Sequence, residues 1–318
     1  MNPFKPIAEK TFTPTPAERY YSANRYFTEL FGKKTYKLSF DAGFGCPTRD
    51  GRIGFGGCIF CSEGGSGDFA AGITPDNIDE AFEKAKARVA EKIKTDRYIA
   101  YFQSYSNTYA DTETLERLFT AVINRTDVCA LSIATRPDCF GKGVYELIEE
   151  LCKIKPVFIE LGLQTSNEKT AEYINRGYRL NVYDEAVNNL KKTGANVITH
   201  VIIGLPGETK QDVLKTVRHA TDLGTDGIKL QLLHVLKNTK LAVIYNRKEF
   251  SVPSKEEYID ILCNCVNAIP RNTVIHRLTG DAPKKLLIAP EWSADKKAVL
   301  NLITKTFNEK NVLQGSKR

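Results

Sequence analysis

The sequence predicts an α/β chain wound as a partial TIM barrel of about six parallel βα units, with small N- and C-terminal extensions. Three observations carry this. Short apolar runs rich in Val, Ile, Leu and Phe recur at residues 36–40, 98–102, 128–134, 157–163, 197–203 and 227–233. They do not strictly alternate with polar residues, which is the pattern of strands covered on both faces. The segments between them keep helical spacing, and from residue 98 on the strand starts fall about 30 to 40 residues apart, the size of one βα repeat. A complete eight-fold barrel takes ~250 residues, which this chain can supply. Only six repeats are strong, so the barrel is read as incomplete. An open doubly wound sheet is the other winding the pattern allows. Either way a ligand belongs at the carboxyl ends of the strands.

The elements follow in order. Residues 1–35 are expected as an N-terminal extension and 36–250 as the barrel. Thr74-Pro75 offers a capping hydroxyl and a proline at the first helical position. Ile78, Phe82, Ala85, Val89 and Ile93 then form one apolar face. Further helices are expected over 112–123 and 144–153. Asn167 caps the next, Asn181 caps one running through Lys191, and Gly194 stops it. Thr209 with Asp212, and Ser254 with Glu257, read as capping boxes. From 251 to 318 the pattern weakens to a helix, a strand near 273–278 and a last helix from about Ser293, expected as an extension packed on the barrel.

Composition narrows the class. Of 318 residues, 42% are hydrophobic and 26% charged, ordinary for a soluble globular chain. No apolar run approaches the ~20 residues of a membrane span. The N-terminus, MNPFKPIAEKTF, lacks the apolar stretch of a secretory signal. A cytoplasmic protein without membrane contact is expected, and in that compartment clustered cysteines bind metal or do chemistry rather than form disulfides. Cys129, Cys139, Cys152, Cys263 and Cys265 are scattered and read as small core hydrophobes. The net charge of +7 permits an anionic partner without requiring one. From residue 284 to 318 there are eight Lys or Arg against three Asp or Glu. Nothing in the chain signals an oligomeric state.

Cys46, Cys58 and Cys61 stand apart. They lie in GFGCPTRDGRIGFGGCIFCSEGG, directly after the first strand, with six glycines between Gly43 and Gly57. A closed structural zinc site needs four ligands, and the four histidines are remote in sequence. An iron–sulfur cube held by three thiolates leaves one iron open to a small molecule, and glycines let backbone amides wrap it. The spacing favours the cube and leaves zinc open.

The three-cysteine loop followed by parallel βα units resembles the radical SAM superfamily. CPTRDGRIGFGGCIFC, YFQSYSNTYA, ATRPD with ELGLQT, and HVIIGLPGET resemble more closely the YhcC/YtqA-type bacterial proteins of that superfamily, relatives of the radical SAM half of the Elongator catalytic subunit. The resemblance spans nearly the whole chain, and its most specific piece is the long insert between Cys46 and Cys58. It implies a 4Fe-4S cluster and S-adenosyl-L-methionine, cleaved by the reduced cluster to a 5′-deoxyadenosyl radical that takes a hydrogen atom from the substrate.

Carried over position by position, the resemblance implies that Cys46, Cys58 and Cys61 hold the cluster and that Phe60 packs near the adenine. Gln103 or Ser104 stands where relatives contact the methionine amino group, without their glutamate. Ala134 replaces another cofactor-binding glutamate; Arg136 nearby is a candidate for a carboxylate, and Glu160 is a candidate to compensate. Gln164 and Arg176 match positions that hold ribose and carboxylate, Gly204 a tight turn beside adenine, and His200 a position often held by aspartate. Lys229 and Gln231 lie at alternate positions that would line a wet interior, with His234 just beyond them, and Arg277 and Asp281 follow the last strand. Lys229, His234, Arg277 and Asp281 are the catalytic, substrate-side candidates.

The resemblance implies an enzyme acting on tRNA at the C5 side chain of the wobble uridine, with an electron donor such as flavodoxin or ferredoxin. The basic C-terminus suits RNA phosphates. Tyr20, Tyr21, Tyr26 and Phe27, set among Arg19 and Arg25, suit either base stacking or a helix packed on the barrel, and packing is favoured. Two alternatives stay open: a radical SAM enzyme on a small molecule or peptide, and a non-catalytic, metal-stabilised nucleic-acid-binding protein.

Overall fold

The computed structural model describes residues 11–65, 70–91 and 95–317. One parallel sheet contains β1 (Tyr36–Asp41), β2 (Ala71–Gly72), β3 (Tyr98–Phe102), β4 (Val128–Thr135), β5 (Val157–Gln164), β6 (Asn196–Ile203), β7 (Gly227–Leu232) and β9 (Val274–Arg277). A short β8 (Val235–Leu236) pairs antiparallel with β10 (Leu287–Ala289) outside it. The sheet order is β2-β1-β3-β4-β5-β6-β7-β9. The six strands read from the sequence thus lie side by side in chain order. A doubly wound sheet reverses direction part-way, so that alternative falls and barrel winding remains. The two short edge strands, β2 and β9, bring the sheet to eight, and β9 comes from the segment expected to pack outside.

The curl of the sheet is read from side chains. Lys37 on β1 and Lys229 on β7 both bind Glu160 on β5. In a flat sheet β1 and β7 would stand about 24 Å apart at the usual strand spacing. One carboxylate can serve both only if the sheet closes around it.

Outside the sheet, α2 (Ile78–Ala87), α3 (Thr112–Ile123), α4 (Val144–Ile154) and α6 (Leu180–Thr193) cover the outward face with Phe82, Phe119, Ile148 and Val187. α7 (Lys210–Asp222), α9 (Lys255–Ala268) and α10 (Lys296–Glu309) cover β6, β7 and β9. Inside, Ile99, Ala130, Phe158, Ile198 and Val274 form an apolar layer at the amino ends of five strands. α1 (Ala23–Phe31) plugs that end, with the Phe27 ring 5.4 Å from Phe158 and 5.7 Å from His276. Tyr21, Tyr26 and Phe27 are buried there, and Tyr20 meets Phe307 edge-on. The N-terminal aromatics are core, and the stacking alternative for them is withdrawn.

Both capping boxes form, at Thr209 and Ser254, and Asn167 and Gly194 cap as expected. Two helix starts differ. α2 begins after Asn77, whose Oδ1 accepts from Thr74 N at 2.7 Å, so Thr74-Pro75 is the preceding turn. α6 begins after Arg179, which places Asn181 inside the helix. Ile93 lies outside the described residues. α5 (Glu168–Tyr173) and α8 (Lys240–Asn246) complete the set used below.

Candidate active site

A cavity of about 1260 Å³ opens at the carboxyl ends of the strands, and Cys46, Cys58 and Cys61 line it. Their loop is braced by its own backbone: Arg49 N donates to Cys46 O at 2.8 Å and Gly57 N to Thr48 O at 2.9 Å. The segment after α5 adds more, with Ile59 N on Ile174 O at 3.1 Å and Asn175 Nδ2 on Gly57 O at 2.7 Å. The Arg49 guanidinium donates to Ser62 O at 2.6 Å, tying both ends of the loop. A hydrogen bond from Cys58 holds the Cys61 thiol below its ordinary pKa against burial, and Arg49 adds to the effect. Arg49 gave no signal in the sequence, since a lone arginine in a loop reads as surface.

After β3 the chain turns through Gln103, Ser104, Tyr105, Ser106 and Asn107. Asn107 Nδ2 donates to Ser104 O and Ala134 O, both at 2.9 Å, locking this turn to the end of β4. The Oγ atoms of Ser104 and Ser106 and Oδ1 of Asn107 are buried without a hydrogen-bond partner among the described residues. Gln103 and Ser106 line the cavity; Ser104, expected there, does not.

The ends of β4 and β5 meet at Tyr178, whose hydroxyl donates to Gly162 O. Arg136 lines the cavity, lies 5.0 Å over the Tyr178 ring and is gripped by both oxygens of Asp138 at 2.9 and 2.7 Å. Its carboxylate partner is therefore its own neighbour. Gln164 also lines the cavity, at a φ of 62°; with its amide assigned in the orientation that satisfies its neighbours, the nitrogen donates to Gly162 O at 2.8 Å and Leu163 O at 2.9 Å. Arg176 departs from expectation. It is 1% exposed and donates to Leu163 O, Thr165 O, Tyr178 O and Glu168 Oε2, so it holds the β5 end from behind and does not reach the cavity. Gly204 is corrected as well: a Cβ there would stand 2.9 Å from Pro253 Cδ, so packing on Pro253 constrains it, and it too is absent from the wall.

The cavity floor is a charge network around Glu160. Oε1 accepts from Lys37 Nζ at 2.6 Å and Ser132 Oγ at 2.7 Å; Oε2 accepts from His200 Nε2 at 2.8 Å and from Lys229 Nζ. Burial alone would raise this carboxyl, yet Lys229 and Lys37 hold it well below the ordinary value. Burial and the neighbouring Lys229 pull His200 down to about 4, so it is neutral, its Nδ1 accepting from Gln231 Nε2 at 3.1 Å. Burial lowers Lys229 to about 7, against the pull of Glu160. Lys229 lies beneath the wall rather than on it. With both its oxygens committed to the chain's own cations, Glu160 is a floor brace. Lys37 and Tyr101, whose ring lies under both ammonium groups at 4.6 and 4.8 Å, were missed in the sequence. The signal was there, a lysine inside the apolar strand YKLSF.

On the far wall, Arg277 Nη2 lies 3.3 Å from Asp281 Oδ2, and Lys296 Nζ 2.5 Å from Asp281 Oδ1. His234 beside them is pushed down to about 4 by burial and is neutral. His234, Arg277 and Asp281 line the same cavity as the cysteines, as does Phe60. Of the other cysteines, Cys139, Cys152, Cys263 and Cys265 are buried, while Cys129 is half-buried and donates to Tyr98 O at 3.2 Å. Among the described residues no group of three His, Cys, Asp or Glu is arranged around a single metal ion.

Residues 45–220 match the family model of the radical SAM superfamily, and residues 225–309 match that of the radical SAM C-terminal domain. The chain belongs to the radical SAM superfamily. It is 42% identical to the uncharacterized protein YtqA of Bacillus subtilis over 298 residues, 94% of this chain and 92% of that protein. To protein YhcC of Escherichia coli it is 33% identical, over 91% of this chain and 92% of that one. A tRNA uridine(34) acetyltransferase of Methanocaldococcus jannaschii is 28% identical over 162 residues, half of this chain and 29% of that protein. The solved structure of Elp3 from Methanocaldococcus infernus shares the fold at a TM-score of 0.65 and 18% identity, covering 88% of this chain and 64% of that one.

A radical SAM enzyme uses a 4Fe-4S cluster and S-adenosyl-L-methionine, and this cavity fits them. Three thiols share one wall, and Ser106 of the adjoining turn lines the same cavity with its Oγ unpartnered among the described residues, an acceptor suited to a ligand amino group. The non-catalytic alternative falls with the family assignment. No described helix is long and apolar enough to cross a membrane.

Proposed function

We propose that this radical SAM enzyme modifies the C5 side chain of the wobble uridine of tRNA. The reading rests on one observation: half of the chain aligns with a protein named for its action on tRNA uridine 34. The aligned part is under a third of that protein, so acetyl transfer is not carried over with it. The cavity supports an anionic substrate, since six of its lining side chains are Lys or Arg and two are carboxylates.

In this reading Cys46, Cys58 and Cys61 hold the cluster, and Gln103, Ser106 and Gln164 orient the bound cofactor. Phe60 flanks it. When bound, the pair supplies a 5′-deoxyadenosyl radical. The chain's part is to exclude water and fix the substrate. His234, Arg277 and Asp281 face it across the cavity, and Lys229 acts through Glu160 to keep the floor rigid. A low-potential donor such as flavodoxin or ferredoxin supplies the electron.

The test is anaerobic. The reconstituted, reduced protein is incubated with S-adenosyl-L-methionine and tRNA from cells lacking the gene, and 5′-deoxyadenosine and digested nucleosides are measured by mass spectrometry. The expected result is 5′-deoxyadenosine together with a uridine derivative of changed mass, both lost in Cys58→Ala. Formation of 5′-deoxyadenosine with every nucleoside unchanged would overturn the tRNA substrate and move the search to small molecules and peptides.

A further inference from the structure

We propose that the hairpin between Cys46 and Cys58 is the platform on which an unpaired RNA loop docks, with Phe55 as the ring that stacks a base. The proposal rests on the tRNA reading and deepens it by naming where the substrate is gripped.

Phe55 is 75% exposed, the most exposed large apolar side chain among the described residues. It is held out by a closed piece of backbone. Asp50 and Phe55 form an antiparallel bridge, Gly51 N donates to Gly54 O at 3.1 Å, and Ile53 N donates to Pro47 O at 3.0 Å. The ring rests on Gly51, where a Cβ would stand 2.7 Å from it. One edge of the ring is thus supported by bare backbone, and the exposed remainder faces solvent. Held in this way, the ring offers an open face on which a planar group can stack.

The surroundings say what binds. Arg49 lies 5.3 Å over the ring of Tyr105, and Arg52 lies 5.5 Å over that of Tyr109. Tyr109 donates to Asp50 Oδ2 at 2.8 Å, which fixes the hairpin to the turn after β3. Lys240, at the start of α8, reaches over Gly56. Arg49 and Tyr105 are themselves cavity wall, so the hairpin stands at the mouth of the site it serves. Aromatic rings interleaved with guanidinium groups on a cationic rim are what unpaired bases and their phosphates require: stacking is tolerant of sequence, and the cations follow the backbone. An acidic electron-carrier protein would meet the same cations, and the test below separates it from RNA.

The test compares binding of two probes to the reconstituted full chain: a synthetic anticodon stem-loop RNA and a fully paired RNA duplex. Wild type is expected to prefer the stem-loop. Phe55→Ala should weaken stem-loop binding about tenfold, with the salt dependence unchanged because no charge is lost, while Phe55→Trp keeps it. Arg52→Gln should flatten the slope of log affinity against log salt by about 0.7. Equal iron content per chain checks that each variant is folded and loaded. Stem-loop binding unaltered in Phe55→Ala would overturn the platform while leaving the tRNA reading intact. A wild type that binds both probes equally would overturn the two together. Unaltered RNA binding with slowed reduction by flavodoxin would reassign the hairpin to the electron donor.

Discussion

Glu160 is the residue on which the cavity floor depends. It is 1% exposed, and every lone-pair direction it offers is taken by Lys37, Ser132, His200 or Lys229. Removing one partner of such a buried network strands the rest. Glu160→Gln leaves two ammonium groups without their counter-charge and is expected to lower stability by ~3–5 kcal/mol in urea titration. Adding Lys37→Met should recover part of that loss, because the two changes meet in one network. A half-buried carboxyl behaves differently. Glu208 accepts from Thr165 Oγ1, and burial raises it from 4.5 to about 7. Over that window the folded chain holds the proton that the unfolded chain has released, so stability falls as pH rises through it. Glu208→Gln should match wild type near pH 4.5 and exceed it above about pH 7 in apparent unfolding midpoint.

At the scale of elements, capping boxes were legible and short strands were not. A capping box is a local contract between two side chains three residues apart, so Thr209 with Asp212 and Ser254 with Glu257 could be read without knowing the fold. β2 and β8 have two residues each and β10 three, too few to carry a period, and only their partners create them. The β6–α7 turn shows how local and tertiary reasons combine. Gly204 has a φ of 95°, the tight turn that the sequence foresaw, and its packing neighbour is Pro253. Gly204→Ala should cost ~1–2 kcal/mol for the left-handed backbone alone, with a further loss from the contact with Pro253, read as a lower urea midpoint at unchanged slope.

Over the whole molecule, the barrel is open along one side and stoppered at one end. Phe27 touches Phe158 and His276, which belong to strands at the middle and edge of the sheet. Phe27→Ala should cost ~3–5 kcal/mol, since it opens a cavity under the charged floor as well as losing apolar contact. Unchanged stability in guanidinium titration would mean that α1 rides on the barrel without plugging it. What the sequence by itself determined is what short-range order can encode: the six central strands, the helices between them, the two capping boxes and the three-cysteine loop. It also placed Phe60 in the cysteine loop, and Gln103, Gln164, His234, Arg277 and Asp281 at or just past strand ends that converge, because parallel winding sends every strand end to the same face. Which side chains are spent on structure was decided only by the tertiary fold. Arg176 and Lys229 look like ligand contacts in one dimension, yet Arg176 is spent on carbonyls at the end of β5 and Lys229 on a carboxylate brought from another strand. A buried charge takes whatever counter-group packing supplies, and packing is a property of the closed sheet.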